Sequence, residues 1–152
     1  MKEFKKILFP VDFSEVSPKI VPFVISMADK LDAEVHLIFV VRKFEHYRSI
    51  FVSQLSVEKF ETEIVSGAET KMEEFVQEFF KSIFRPKTRI MIGDIAEEIL
   101  NYIKSEGIDL VIIGTHGRKG MDRIILGSIA DRVIKSSPVP VLSVNPYQVK
   151  AF

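Results

Sequence analysis

Gly114, Gly117, Gly127 and Ser128 have the residue types and spacing of a phosphate cradle. Leu110 to Ile113 is an apolar run that stops at Gly114; Gly117 follows, and Gly127-Ser128 comes after nine more residues. Helical periodicity begins beyond Ser128, with Ile129, Val133 and Ile134 on one face and Asp131, Arg132 and Lys135 off it. A buried strand that passes through a Gly-rich loop into a helix start presents backbone N–H groups and the positive end of a helix dipole. Together these bind anions. The chemistry expected is nucleotide binding.

Other residues extend or compete with that reading. Ser128 has two compatible roles, as hydroxyl donor to a phosphate and as N-cap. Arg118, Lys119 and Arg123 give the loop positive charge, suited to phosphates or to a solvated face. Asp12 ends a first apolar run, where a carboxylate accepts from ribose hydroxyls, holds Mg²⁺ beside phosphate oxygens, or caps the next helix. Val40 closes a second run and is either a core valine or a backbone contact for an adenine edge. His116 has the chemistry of a general acid or base. No carboxylate partner is identifiable for it, and a structural or positioning role is expected. Three histidines and no cysteine provide no metal-ligand spacing such as His-Glu-x-x-His. There is no Gly-x-Ser-x-Gly elbow, no Gly-x-x-x-x-Gly-Lys-[Ser/Thr] loop, and no Gly-x-Gly-x-x-Gly after the first strand.

These residues need elements to hold them. Ile7 to Val11 reads as a first strand, followed by a helix N-capped at Ser14, with Pro18 in its first turn and Ile20, Phe23, Val24, Met27 and Leu31 inward. Val35 to Val41 is a second strand, and about Val57 to Phe84 is amphipathic helix in one or two pieces. Thr88 to Ile92 is a third strand, with a helix from Ile95 to Ser105 closed by Gly107. Asp109 to Ile113, Ser128 to Ser136 and Val139 to Val144 complete the series as strand, helix and strand. Alternation of this kind implies an α/β fold with a mainly parallel sheet and right-handed crossovers. Ligands then bind beyond the strands' C-terminal ends, where strand order reverses. That selects the loop from Pro10 to Ser14, the one after Val40, and Gly114 to Ser128, with Gly93-Asp94-Ile95 a weaker fourth. Arg42 to Ser56 is the least regular stretch and reads as a lid or as a packed linker.

Size and charge bound the rest. The chain has 152 residues, 47% of them apolar, which suits one domain. Lys+Arg and Asp+Glu are equal at 21 each, which argues against nucleic-acid and anionic-membrane partners. No apolar run approaches the ~20 residues of a membrane span, and no signal-type stretch follows Met1. A soluble, cytoplasmic domain is expected.

On these residues the chain resembles the universal stress proteins. Their nucleotide motif is Gly, two residues, Gly, nine residues, Gly, then Ser or Thr, and here it stands as Gly114 to Gly117 and Gly127-Ser128. Ile7 to Ser14 is similar to the family's first strand and its Asp, and Ser137 to Val144 to its last strand. The similarity is weakest at Arg42 to Ser56. The resemblance implies a single-domain, Rossmann-like, open five-stranded parallel sheet in order 3-2-1-4-5 with helices on both faces. Residues 1–147 would form the nucleotide-binding domain and 148–152 a tail. It also implies ATP, or ADP or AMP, held with Mg²⁺ between the first and fourth strands. A homodimer paired through Pro140 to Val144 is implied as well, with an unidentified protein partner for a regulatory stress role. Asp12 would touch ribose or the metal, Val40 the adenine, and Gly114, Gly117, Gly127 and Ser128 the phosphates. The full expected site adds Pro10, Val11, His116, Arg118 and Ile129. Two alternatives stand beside this reading. One is a slow Mg²⁺-dependent ATPase or phosphotransferase assisted by His116 or Asp12, and the other a nucleotide-independent interaction module.

Overall fold

In the computed structural model, which describes residues 1–43, 54–81, 83–116 and 127–149, strands and helices alternate along the chain. The order is β1 (Lys6–Pro10), α1 (Ser17–Leu31), β2 (Glu34–Arg42), α2 (Gln54–Phe79), β3 (Lys87–Gly93), α3 (Ile95–Glu106), β4 (Leu110–Gly114), α4 (Ser128–Ser136) and β5 (Val141–Val144). The five strands form one sheet in order β3-β2-β1-β4-β5, and all four pairings are parallel. The expected architecture and strand order are both present.

Period-two alternation divides the strands between two cores. Ile7, Phe9, Leu37, Leu110 and Ile112 point to one face, against Ile20, Val21 and Val24 of α1 and Met72, Phe75, Val76 and Phe80 of α2. Leu8, Ile38, Val111 and Ile113 point to the other, against Ile99 and Ile103 of α3 and Ala130 and Val133 of α4. Burial on both faces is why these strands read as nearly unbroken apolar runs.

Several boundaries differ from the sequence pattern for local reasons. Helix α1 starts at Ser17, with Val16 in the N-cap position and no side-chain cap, so Ser14 does not cap it. Asp12 organises the turn instead: its Oδ1 accepts from Ser14 N–H (2.9 Å), Ser14 Oγ (2.6 Å) and Ser17 Oγ (2.8 Å). Helix α2 is one continuous helix. Strand β5 begins at Val141, after Pro138 and Pro140, which lack the N–H that a ladder needs. At α3 the expected punctuation holds. Asp94 Oδ1 accepts from Glu97 N–H at 3.0 Å, and Gly107 ends the helix at φ 64°, a left-handed position that suits glycine.

Candidate functional site

The sheet opens where its strand order reverses. β1 pairs with β4 at only two positions, Ile7 with Leu110 and Leu8 with Val111. Beyond them β1 stays with β2 as far as Pro10 and Ile38, while β4 stays with β5 as far as Gly114 and Val144. A crevice therefore opens between the C-terminal ends of β1 and β4. From its two lips the chain departs to opposite faces, toward α1 on one side and α4 on the other. This is the place where open α/β sheets hold ligands.

On the β1 lip, Pro10 is the last strand residue, and Val11 N–H still donates to Ile38 O at 2.9 Å. Asp12 follows, half-buried and tied into the Ser14–Ser17 turn. Strand β2 runs four residues past its last β1 partner, from Phe39 to Arg42, paired there with β3. Val40 is in this overhang, its side chain buried.

On the β4 lip, two glycines are needed for space, since neither has positive φ. A Cβ on Gly114 would lie 2.5 Å from Ile20 Cδ1 and 3.1 Å from His116 O. A Cβ on Gly127 would lie 3.1 Å from Thr115 O. Gly127 N–H donates to that same Thr115 carbonyl at 2.8 Å, so residues 115 and 127 are clasped together. Gly127 holds the N-cap position of α4 without a side-chain cap, and Ser128 is the first helical residue instead of the N-cap. The first helical bond runs from Asp131 N–H to Gly127 O at 2.9 Å. Helix geometry then leaves the N–H groups of Ser128, Ile129 and Ala130 without intrahelical acceptors, at the positive end of the α4 dipole. Gly127 contributes the clasp, and the N–H groups without intrahelical acceptors belong to the residues after it.

His116 is 7% exposed. Its Nδ1 shares a 2.8 Å hydrogen bond with Thr115 Oγ1. Its Nε2 is the buried side-chain nitrogen or oxygen that lacks a partner among the described residues. Tyr147 packs against the ring, centroids 5.2 Å apart at 77°, and Lys19 Nζ lies 5.4 Å from the Tyr147 ring centroid. Tyr147 is held by a turn in which Asn145 Oδ1 accepts its N–H at 3.0 Å. Sequence reasoning missed Lys19, Ile20, Thr115 and Tyr147. No local pattern connects α1 with the chain beyond β5.

Of the other expected site residues, Gly117 and Arg118 lie outside the described residues. So do Lys119 and Arg123, and residues 44–53 of the irregular segment. The weaker candidate, Asp94, is occupied by structure. It caps α3 and pairs with Arg132 of α4 at 2.9 Å, and the Arg132 guanidinium and Glu97 N–H hold its carboxyl below the usual range. A groove of about 440 Å³ between α2 and Ile92 of β3 lies away from the crevice. Among the described residues no group of three or more His, Cys, Asp or Glu is placed to hold a metal, so a cation here would depend on ligand oxygens beside Asp12. That is the habit of Mg²⁺, which takes one or two carboxylates together with phosphates. A helix start with no side-chain cap and a buried imidazole whose Nε2 lacks a partner among the described residues fit a phosphorylated ligand. Among the described residues, no helix is long and apolar enough to cross a membrane.

Fold and site together define a doubly wound α/β domain whose sheet opens into a crevice at its switch point, beside the start of α4. The comparisons with known proteins make the assignment specific. The family model described as "Universal stress protein family" matches residues 3–145, and the chain belongs to that family. It is 37% identical to the universal stress protein MJ0577 of Methanocaldococcus jannaschii over 93% of this chain and 95% of that one. The solved structure of MJ0577 superposes with a TM-score of 0.82 at 31% identity, covering 99% of this chain and 100% of that chain. A universal stress protein of Archaeoglobus fulgidus, solved in complex with dAMP, shares the fold at 15% identity and a TM-score of 0.59, covering 95% of this chain and 100% of that chain.

Proposed function

We propose that this universal stress protein binds ATP with Mg²⁺ in the crevice between β1 and β4 and acts as a nucleotide-dependent regulator in the cytoplasm. The observation that carries the reading is the splay of β1 from β4 in front of the uncapped start of α4. Ser128, Ile129 and Ala130 offer their N–H groups to the phosphates, Gly114, His116 and Gly127 stand beside them, and Gly117 and Arg118 are assigned to the same phosphates from the sequence. Pro10, Val11 and Asp12 line the ribose side, with Asp12 next to the metal when it is bound. Val40 presents the β2 overhang to the adenine. When Mg²⁺ is present it neutralises phosphate charge. That the dAMP complex belongs to a protein of the same fold supports an adenine nucleotide as the ligand class.

A homodimer through Pro140 to Val144 belongs to the same proposal. β5 is an edge strand with exposed Leu142, and exposed Ile134 of α4 lies nearby in the chain. An edge of this kind invites pairing with a second copy. An unidentified protein partner would read the dimer's surface. Turnover has less support: His116 is bonded to Thr115 Oγ1, and no carboxylate orients it as a base among the described residues.

Calorimetric titration with Mg²⁺-ATP tests the site. Wild-type binding in the micromolar range, about −8 kcal/mol, is expected, and Gly127→Val is expected to lose it. The valine Cβ would press on the Thr115 carbonyl and open the clasp. Equal affinity in the two proteins would remove the phosphate-loop assignment.

A further inference from the structure

Resting on the nucleotide reading, we propose that Lys19, braced on Tyr147, makes the site count phosphates, so that ATP binds well ahead of AMP. Lys19 lies in the first turn of α1 beside Ile20, whose Cδ1 occupies the space that a Cβ on Gly114 would need. This places the start of α1 against the end of β4, where the phosphate loop departs. Among the described residues Lys19 enters no ion pair. Its ammonium lies 5.4 Å from the Tyr147 centroid instead. Tyr147 in turn stands edge-on to the buried ring of His116 at 5.2 Å. The three side chains form one stack from the α1 surface down to the end of β4, and its inner member carries the Nε2 that lacks a partner among the described residues.

The charges nearby explain why this cation matters. Among the described residues at this edge, Asp12 is a carboxylate, and the α4 start offers backbone dipoles in place of formal charge. Arg132 is held by Asp94 at 2.9 Å. Among the described residues, Lys19 is therefore a full positive charge at this edge with no carboxylate paired to it. Stacking on an aromatic face steadies a cation and leaves its charge intact, so it can meet an anion. Coulomb attraction grows with ligand charge, and the gain is larger for a triphosphate than for a monophosphate. Tyr147 is a positioning residue, which limits the volume that the lysine explores.

The test is calorimetric titration with Mg²⁺-ATP, Mg²⁺-ADP and AMP, using wild type, Lys19→Met, Lys19→Arg and Tyr147→Leu. Wild type is expected to favour ATP over AMP by at least tenfold. Lys19→Met, which keeps the aliphatic stem, should weaken ATP about fivefold and leave AMP within twofold. Lys19→Arg should restore the ratio, and Tyr147→Leu should narrow it. Raising the salt concentration should narrow the ratio in wild type and hardly change it in Lys19→Met. If Lys19→Met weakened ATP and AMP alike, or neither, the inference would be overturned while the nucleotide site stood. If wild type bound none of the three nucleotides, the site assignment itself would fall, and this inference with it.

Discussion

Two buried histidines, one toward each end of the parallel sheet, show how the same side chain serves structure in one place and a site in the other. His36, near the N-terminal end of β2, is 1% exposed and satisfied at both nitrogens. Its Nε2 lies 2.6 Å from Glu34 Oε1, and its Nδ1 lies 2.8 Å from Tyr102 Oη. A carboxylate only accepts, so Nε2 carries the proton, and in the neutral ring Nδ1 accepts from the tyrosine hydroxyl. Burial pushes the Tyr102 phenol up, which keeps it a donor. Lys87 closes the network on Glu34 at 3.0 Å. His116, at the opposite end, is nearly as buried but keeps one nitrogen unpartnered among the described residues. A satisfied network rigidifies the β2–α3 packing, whereas an unpartnered buried group is costly and persists where something else meets it.

Substitutions at the two positions should therefore differ in kind. The largest effect is expected from His36→Ala. It removes a ring from a full core and leaves the Tyr102 hydroxyl without its acceptor, for a loss of about 2–4 kcal/mol in urea-monitored unfolding. ATP affinity should be unchanged, because the network lies away from the crevice. A loss below the scatter of surface mutations would show that the network contributes little.

His116→Leu should invert that pattern. Stability is expected to stay within about 1 kcal/mol, because deleting a buried nitrogen that has no partner among the described residues offsets the lost Thr115 hydrogen bond. ATP affinity should fall roughly tenfold, the worth of about one hydrogen bond at 1.4 kcal/mol per decade. If both stability and binding behaved as they do in His36→Ala, the contrast between the two histidines would collapse.

The smallest effect is a pH slope. Hydrogen bonding from Lys87, then from His36, holds the Glu34 carboxyl below its ordinary value of 4.5. A carboxylate with a depressed folded-state value contributes stability that is complete above the unfolded-state value and is lost as pH falls through the folded one. Acid unfolding below about pH 4.5 should thus include a Glu34 component that Glu34→Gln flattens. The carboxylate is partly exposed, so solvent screening keeps this component small. Identical slopes in the two proteins would place the acid lability elsewhere.

Much of the domain was readable from the chain because the signals are local and periodic. Apolar runs such as Leu110–Ile113 exist because both sheet faces are covered. The helix that starts at Ser128 announces itself through the spacing of Ile129, Val133 and Ile134. Gly114 and Gly127 are legible because a Cβ on either would crowd a neighbour, Ile20 Cδ1 or the Thr115 carbonyl, and Gly107 is legible because its left-handed φ suits no side chain well. What only the tertiary structure decided are the contacts between distant segments. Sequence could not tell that Gly114 makes room for Ile20, that the Gly127 amide is used to clasp Thr115, or that Asp94 belongs to Arg132. Nor could it show that Lys19, His116 and Tyr147 form one stack. Each of these depends on packing between elements far apart in the chain, where side-chain fit and desolvation decide the partner and no spacing rule reports it.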